Sequence, residues 1–209
     1  MKKIFLSSML IAVMNFPNAQ TYPDPEFANE IYFLKKDNPY SLIRLEKGAS
    51  KMETKTNMIK GSEQGYSLDG TKSNVRIQGG NNLSFVFSTG TSSSSSNSRS
   101  DSMMKANGVD SKMLNLEGMM DPTNNITLYK MDIAKDQRKI YLMKQGGYFG
   151  SHKNQSSDKY TFSLKKIRDG YWELVIDKPL PKGEYAFTTM GMGMPSMDGG
   201  MTLFAFGIN

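Results

Sequence analysis

Alternation of apolar and polar residues with a period of two recurs along this chain, and it restricts the fold more than any other feature. Successive side chains of an extended strand point to opposite faces. In Tyr171-Trp172-Glu173-Leu174-Val175-Ile176-Asp177 this puts Trp172, Leu174 and Ile176 on one face, expected to be buried, and Glu173 on the other, expected to meet solvent. Further stretches of strand character fall at 31–34, 41–46, 49–56, 75–77, 83–87, 126–131, 139–143, 160–164, 184–189 and 202–206, and those of the second half are the richest in β-branched and aromatic residues. Turn chemistry separates them, as at Pro179-Leu180-Pro181-Lys182-Gly183, where proline sets the bend and glycine leaves it. No stretch carries a convincing helical period, and a parallel α/β fold needs crossovers of ~10 residues between strands. The expectation is an all-β protein, an antiparallel β-sandwich-like body of about ten short strands.

The pattern breaks once, over 88–120, which opens with Ser92-Ser93-Ser94-Ser95-Ser96 and ends in Glu117-Gly118-Met119-Met120. A serine tract cannot bury enough apolar surface to offset its ordering entropy, so the reading is one domain over 20–209 with a long Ser/Met-rich loop, a flexible insertion at about 90–120. Two small β units divided there are the alternative. Ahead of them, Met1-Lys2-Lys3 and the apolar run from Ile4 to Val13, broken by Asn15 and Pro17, read as a secretory signal peptide over 1–19. That run is shorter than the ~20 apolar residues of a membrane span, so no transmembrane segment is expected. The expected location is the periplasm, the outer membrane or the medium.

Cysteine is absent, which removes disulfides, thiolate metal sites, a cysteine nucleophile and a lipid-anchored cysteine. The formal charge of +6 includes Lys2 and Lys3, and the remaining basic residues are mixed with acids along the chain. That distribution suits a solvated surface, and nucleic acid is not an expected partner.

Several pieces of the chain resemble a group of exported proteins of unknown function from Gram-negative bacteria of the Bacteroidota type. They are Pro25-Glu26-Phe27-Ala28-Asn29-Glu30-Ile31-Tyr32, Leu42-Ile43-Arg44-Leu45-Glu46-Lys47, Asp69-Gly70-Thr71-Lys72-Ser73-Asn74-Val75-Arg76, and Leu180-Pro181-Lys182-Gly183-Glu184-Tyr185-Ala186-Phe187 with Phe204-Ala205-Phe206-Gly207. The resemblance implies a β framework and an exported location, and no activity. Asp101-Ser102-Met103 also resembles the O-glycosylation acceptor of exported proteins in that phylum.

Chemistry-bearing residues are few. The single histidine, His152, sits in a polar loop context and lacks the partners of a proton shuttle, so no catalytic residue is assigned. Glu63, Asp69, Glu173 and Glu184 are the acids from which a glycosidase pair would be drawn, which keeps a carbohydrate-active enzyme as a weaker alternative; Glu184, like Glu173, is expected to be a solvent-facing member of an alternating strand. Methionine is the anomaly, with 17 in the chain. Met190, Met192, Met194, Met197 and Met201 lie among glycines between the last two strands, and their spacing resembles the methionine motifs of periplasmic copper-handling proteins. Soft thioethers suit Cu(I) or Ag(I), so these five are the candidate metal ligands; no other cofactor is expected. A soft contact surface is the competing use of such residues. The leading expectation is a non-enzymatic binding or interaction module of the cell envelope, with an envelope protein or a glycan as partner; a periplasmic Cu(I) or Ag(I) binder is the alternative.

Overall fold

The computed structural model describes residues 21–57, 61–89, 125–146, 154–189 and 200–209. The signal-peptide region, the Ser/Met-rich insertion with Ser102, His152, and Met190, Met192, Met194 and Met197 lie outside the described residues. Among them the secondary structure is all β, with no helix. The strands are β1 (Glu30–Lys35), β2 (Ser41–Arg44), β3 (Glu46–Lys51), β4 (Glu53–Asn57), β5 (Gly61–Asp69), β6 (Arg76–Ile77), β7 (Ser84–Ser88), β8 (Ile126–Ala134), β9 (Gln137–Gln145), β10 (Lys159–Tyr160), β11 (Phe162–Arg168), β12 (Tyr171–Ile176), β13 (Gly183–Thr189) and β14 (Gly200–Ile208).

They form two sheets. The first has the order β11-β12-β7-β1-β2; the second runs β3-β14-β13-β8-β9-β5-β4, with β10 beside β8 and β6 beside β14. The ladders are antiparallel apart from the short β6–β14 pair. β3 and β4 stand at opposite ends of the second sheet, yet only Met52 separates them in the chain. The sheet therefore curls until the backbone joins its own two edges, giving a half-barrel.

Each face of the curled sheet has its own apolar layer. Between the two sheets, Phe85 and Phe87 of β7 and Leu174 and Ile176 of β12 meet Tyr185, Phe187, Phe204 and Phe206 of the other sheet, all buried, with Trp172 packed at the margin. This is the face that alternation in 171–177 predicts. Ring centroids of Phe85 lie 4.9 Å from those of both Phe187 and Phe206, and such pairs contribute about 1 kcal/mol each beyond their buried area. The terminal hairpin sets these rings in register, Tyr185 opposite Phe206 and Phe187 opposite Phe204. Inside the curl lies the second layer, with Tyr66, Leu68, Tyr129, Met131, Ile140, Leu203 and Ala205.

A third cluster covers the far side of the first sheet. Tyr32, Leu34, Val86 and Tyr171 are buried there beneath Tyr22, Tyr40 and Leu42. The segment leading into β1 is held down by the Tyr171 hydroxyl, which donates to the Pro23 carbonyl oxygen at 2.7 Å. Of the strands, only β5 has no counterpart in the period-two reading: its apolar residues are just Tyr66 and Leu68, in Gly-Ser-Glu-Gln-Gly-Tyr-Ser-Leu-Asp.

Candidate functional site

No residue of β4, β5 or β9 belongs to the layer between the sheets. The face that β8 turns toward that layer at Leu128 continues through Lys130 to Asp132, which lies opposite Lys139 of β9. From β9 onward, this face emerges from beneath the first sheet and carries polar residues. It presents Lys139 and Tyr141 of β9, Glu63, Gly65 and Ser67 of β5, and Glu53 and Lys55 of β4.

A β-bulge adds Lys144 to the same face. Gly65 lies opposite Tyr141 but Gln64 lies opposite Met143, so Leu142 is the extra residue, and Lys144 comes to face Glu63. Residues three apart on a regular strand point to opposite sides, so without the bulge Tyr141 and Lys144 would be separated. Glycine is required at position 65, where a Cβ would fall 1.9 Å from the Ile140 carbonyl oxygen.

The side chains form a compact charge pattern. Lys55, Glu63 and Lys144 make one cross-strand row, and Glu53, Gly65 and Tyr141 the next. Lys139 Nζ lies 2.9 Å from Glu63 Oε1, and Lys55 Nζ lies 2.8 Å from Glu53 Oε2. The Ser67 hydroxyl donates to Glu53 Oε1 at 3.0 Å. Ammonium groups of Lys144 and Lys139 stand 4.6 and 5.8 Å from the centroid of the Tyr141 ring, within cation–π range. Burial raises the pKa of the Tyr141 phenol, and the charges of Glu63 and Asp132 add to it, so the ring carries a neutral hydroxyl near pH 7. The Tyr141 backbone is fixed from its other edge. Ser157 N–H donates to the Tyr141 carbonyl at 2.8 Å, and Tyr141 N–H donates to Ser157 Oγ at 2.9 Å. Ser157 Oγ in turn donates to Asp132 Oδ2 at 2.9 Å.

Of these groups Lys55, Glu63, Lys139, Tyr141 and Lys144 line a trough of about 590 Å³, whose lining among the described residues holds four lysines, Lys55, Lys135, Lys139 and Lys144, and one glutamate, Glu63. Hydroxyl and amide side chains, among them Thr56, Asn57, Ser62 and Gln145, complete its walls. A second depression of about 320 Å³ adjoins it toward Asp158, and both share Tyr141 and Lys144. Among the described residues, neither Lys135 nor Lys144 makes an ion pair.

The expected solvent exposure of Glu173 and Glu184 is overturned: both are buried. Glu173 sits under the segment before β1, with the Tyr22 hydroxyl donating to Oε2 at 2.7 Å and Lys36 Nζ 2.8 Å from Oε1. Burial raises its pKa, but the hydrogen bonds from Lys36, Tyr22 and Ser84 outweigh that and hold the carboxyl below its usual range. Glu184 is paired with Arg76 and accepts from Ser73 N–H at 2.8 Å. The alternation rule fails for Glu173 because its sheet is covered on both faces, and for Glu184 because its strand lines the inside of the curl. Each buried acid is neutralised by a partner.

The acids that do share a groove are Glu53 and Glu63. Hydrogen bonds from Lys55 and Ser67 hold the Glu53 carboxyl below its usual range, whereas a glycosidase general acid needs a raised pKa. Glu63 is paired with Lys139, and Asp69 accepts from Gln137 Nε2 at 3.1 Å. Of the five candidate metal ligands, only Met201 lies within the described residues. It is the second residue of β14, opposite Ser50, and it packs partly buried against the layer inside the curl. Among the described residues no group of three or more His, Cys, Asp and Glu is placed to hold a metal ion.

Lys55, Lys139, Tyr141 and Lys144 were not singled out from the sequence. The only signal for them is that a strand with Ile140 buried must offer 139 and 141 to the other side; the bulge that recruits Lys144 leaves no mark in the pattern.

Fold and trough define the class: an all-β, two-sheet protein with a cationic, hydrogen-bonding groove on the overhanging face of a half-barrel. No known protein family, no curated protein and no solved structure matches the chain. Among the described residues no helix is long and apolar enough to cross a membrane.

Proposed function

We propose that this is an exported, non-enzymatic binding module of the cell envelope that takes an acidic glycan in the trough around Tyr141. The observation that carries the reading is the lining of that trough, which among the described residues sets four lysines against one glutamate, interspersed with hydroxyl and amide side chains. Lysines attract carboxylate or sulfate groups, and hydroxyls and amides match the hydroxyls of a sugar ring. The largely buried Tyr141 ring lies between them and forms part of the floor. The basic start and short apolar run of the N-terminus support export. Glu63 in the trough and Glu53 beside it are each ion-paired with a lysine, which suits retention of a ligand better than proton transfer to one.

Titration of the protein with oligogalacturonate and with a neutral oligosaccharide of equal length tests the reading by calorimetry. The acidic chain binds, its affinity falls with added salt, and the double variant K135Q/K144Q weakens it while the folded spectrum is unchanged. Equal affinity for the neutral oligosaccharide, or no change in the double variant, removes the reading.

A further inference from the structure

We propose that the Glu63 carboxylate is a built-in competitor for an anion site formed by Lys55, Lys139 and Lys144. The proposal deepens the acidic-glycan reading and rests on it for the natural ligand. In the strand register Glu63 lies between Lys55 and Lys144, and its Oε1 stands 2.9 Å from Lys139 Nζ. Three cationic residues from two strands thus flank one carboxylate, with Lys139 in direct contact.

The two acids of the groove differ in how they are held. Glu53 is fixed by both Lys55 and the Ser67 hydroxyl, whereas among the described residues Glu63 has the single partner Lys139. The Glu63 side chain is 29% exposed, so it can swing toward solvent as an entering anion takes over its contact with Lys139. Lys139, at 13% exposure, is held in the wall and stays behind as the deepest of the three ammonium groups. A ligand carboxylate, sulfate or phosphate entering the trough exchanges with the Glu63 carboxylate, because two like charges a few ångströms apart repel. No covalent step is involved. Glu63 therefore lowers affinity for weak, singly charged anions and leaves the site open to ligands that present several charges at once.

The test uses inorganic phosphate and oligogalacturonate as probes of the folded wild-type chain and of Glu63→Gln, with binding followed on the amide resonances of Gly65, Tyr141 and Lys144. Glu63→Gln binds phosphate about fivefold more tightly or better, as removal of one like charge beside the anion requires, and Lys144→Gln in that background reverses the gain. In the wild-type chain the carboxyl carbon resonance of Glu63 moves with the same phosphate dependence as the amides. Unchanged or weaker phosphate binding by Glu63→Gln overturns the proposal, and so does a Glu63 carboxyl resonance that stays still while the amides titrate; the latter needs no variant to fold. Phosphate gain in Glu63→Gln without oligogalacturonate binding by either chain keeps the anion site and discards the glycan reading. Oligogalacturonate binding that Glu63→Gln leaves unchanged, together with unchanged phosphate binding, does the reverse.

Discussion

Arg138 of β9 is 1% exposed, as deeply enclosed as any charged residue among the described ones. Its Nε donates to the Gly70 carbonyl at 3.1 Å and Nη2 to the Asp69 carbonyl at 3.0 Å. Nη1 reaches Glu46 Oε2 at 3.0 Å and Nη2 reaches Glu46 Oε1, a two-pronged ion pair that ties β3 to β9. Breaking one partner of a buried pair costs about 3–5 kcal/mol, because the other charge is left without compensation. Glu46 is 24% exposed, so water softens the loss. Glu46→Gln should therefore cost about 2–3 kcal/mol, below that range, since the amide oxygen still accepts one bond. Arg138→Met removes every donor at once and also strands the two carbonyls, and should cost about 3–4 kcal/mol. The double variant Glu46→Gln/Arg138→Met leaves no unpaired charge, so it should be more stable than the sum of the single losses implies by at least ~1 kcal/mol. Urea unfolding at pH 7 measures all three, read as midpoint shifts at constant slope. A loss below about 0.5 kcal/mol for Glu46→Gln, or strict additivity in the double variant, would refute the reasoning.

Gly65→Ala puts a methyl group 1.9 Å from the Ile140 carbonyl oxygen; the bulge must open, and a fall in thermal midpoint of more than ~5 °C is expected, with loss of ligand binding. An unshifted melting curve would show that the bulge is not held by that contact. Tyr22→Phe removes a hydroxyl donor from buried Glu173 and should cost about 1–2 kcal/mol in the same urea assay; no change would mean the Lys36 pair alone satisfies the acid. Glu30, Glu46 and Glu173 all have folded-state pKa values below the usual range: burial raises each, and hydrogen bonds from Arg44 and Lys47, from Arg138, and from Lys36 and Tyr22 outweigh it. The folded pKa is the lower one, so their stabilisation is present above the unfolded value of about 4.3 and is lost as pH falls through the folded values. Midpoints measured across pH 7 to 3 should be level down to about pH 5 and drop below about pH 4. A midpoint that holds steady to pH 3 contradicts those assignments.

The sequence alone determined the kind of backbone and much of the principal core. Short-range periodicity suffices for that, because side-chain direction along a strand is a local property: Trp172, Leu174 and Ile176 face inward, and Tyr185, Phe187, Phe204 and Phe206 join the framework of a terminal hairpin. It could not assign both faces of a strand at once. Glu173 and Glu184 alternate with apolar neighbours as surface acids do, and only the segment before β1 and the inward curl of the second sheet enclose them. β5 escaped notice because a strand in the middle of a sheet can be stabilised by its two neighbours, β4 and β9, with little apolar signal of its own. The trough is likewise a tertiary product. It needs a sheet wider than the one packed on it, the sequence-distant strand β9 to bring Lys139 beside Lys55 and Glu63 of the β4–β5 pair, and one extra residue at Leu142 to turn Lys144 onto their face. Local pattern sets which way a side chain points within its strand; which strands lie side by side, and what covers them, is decided by long-range pairing.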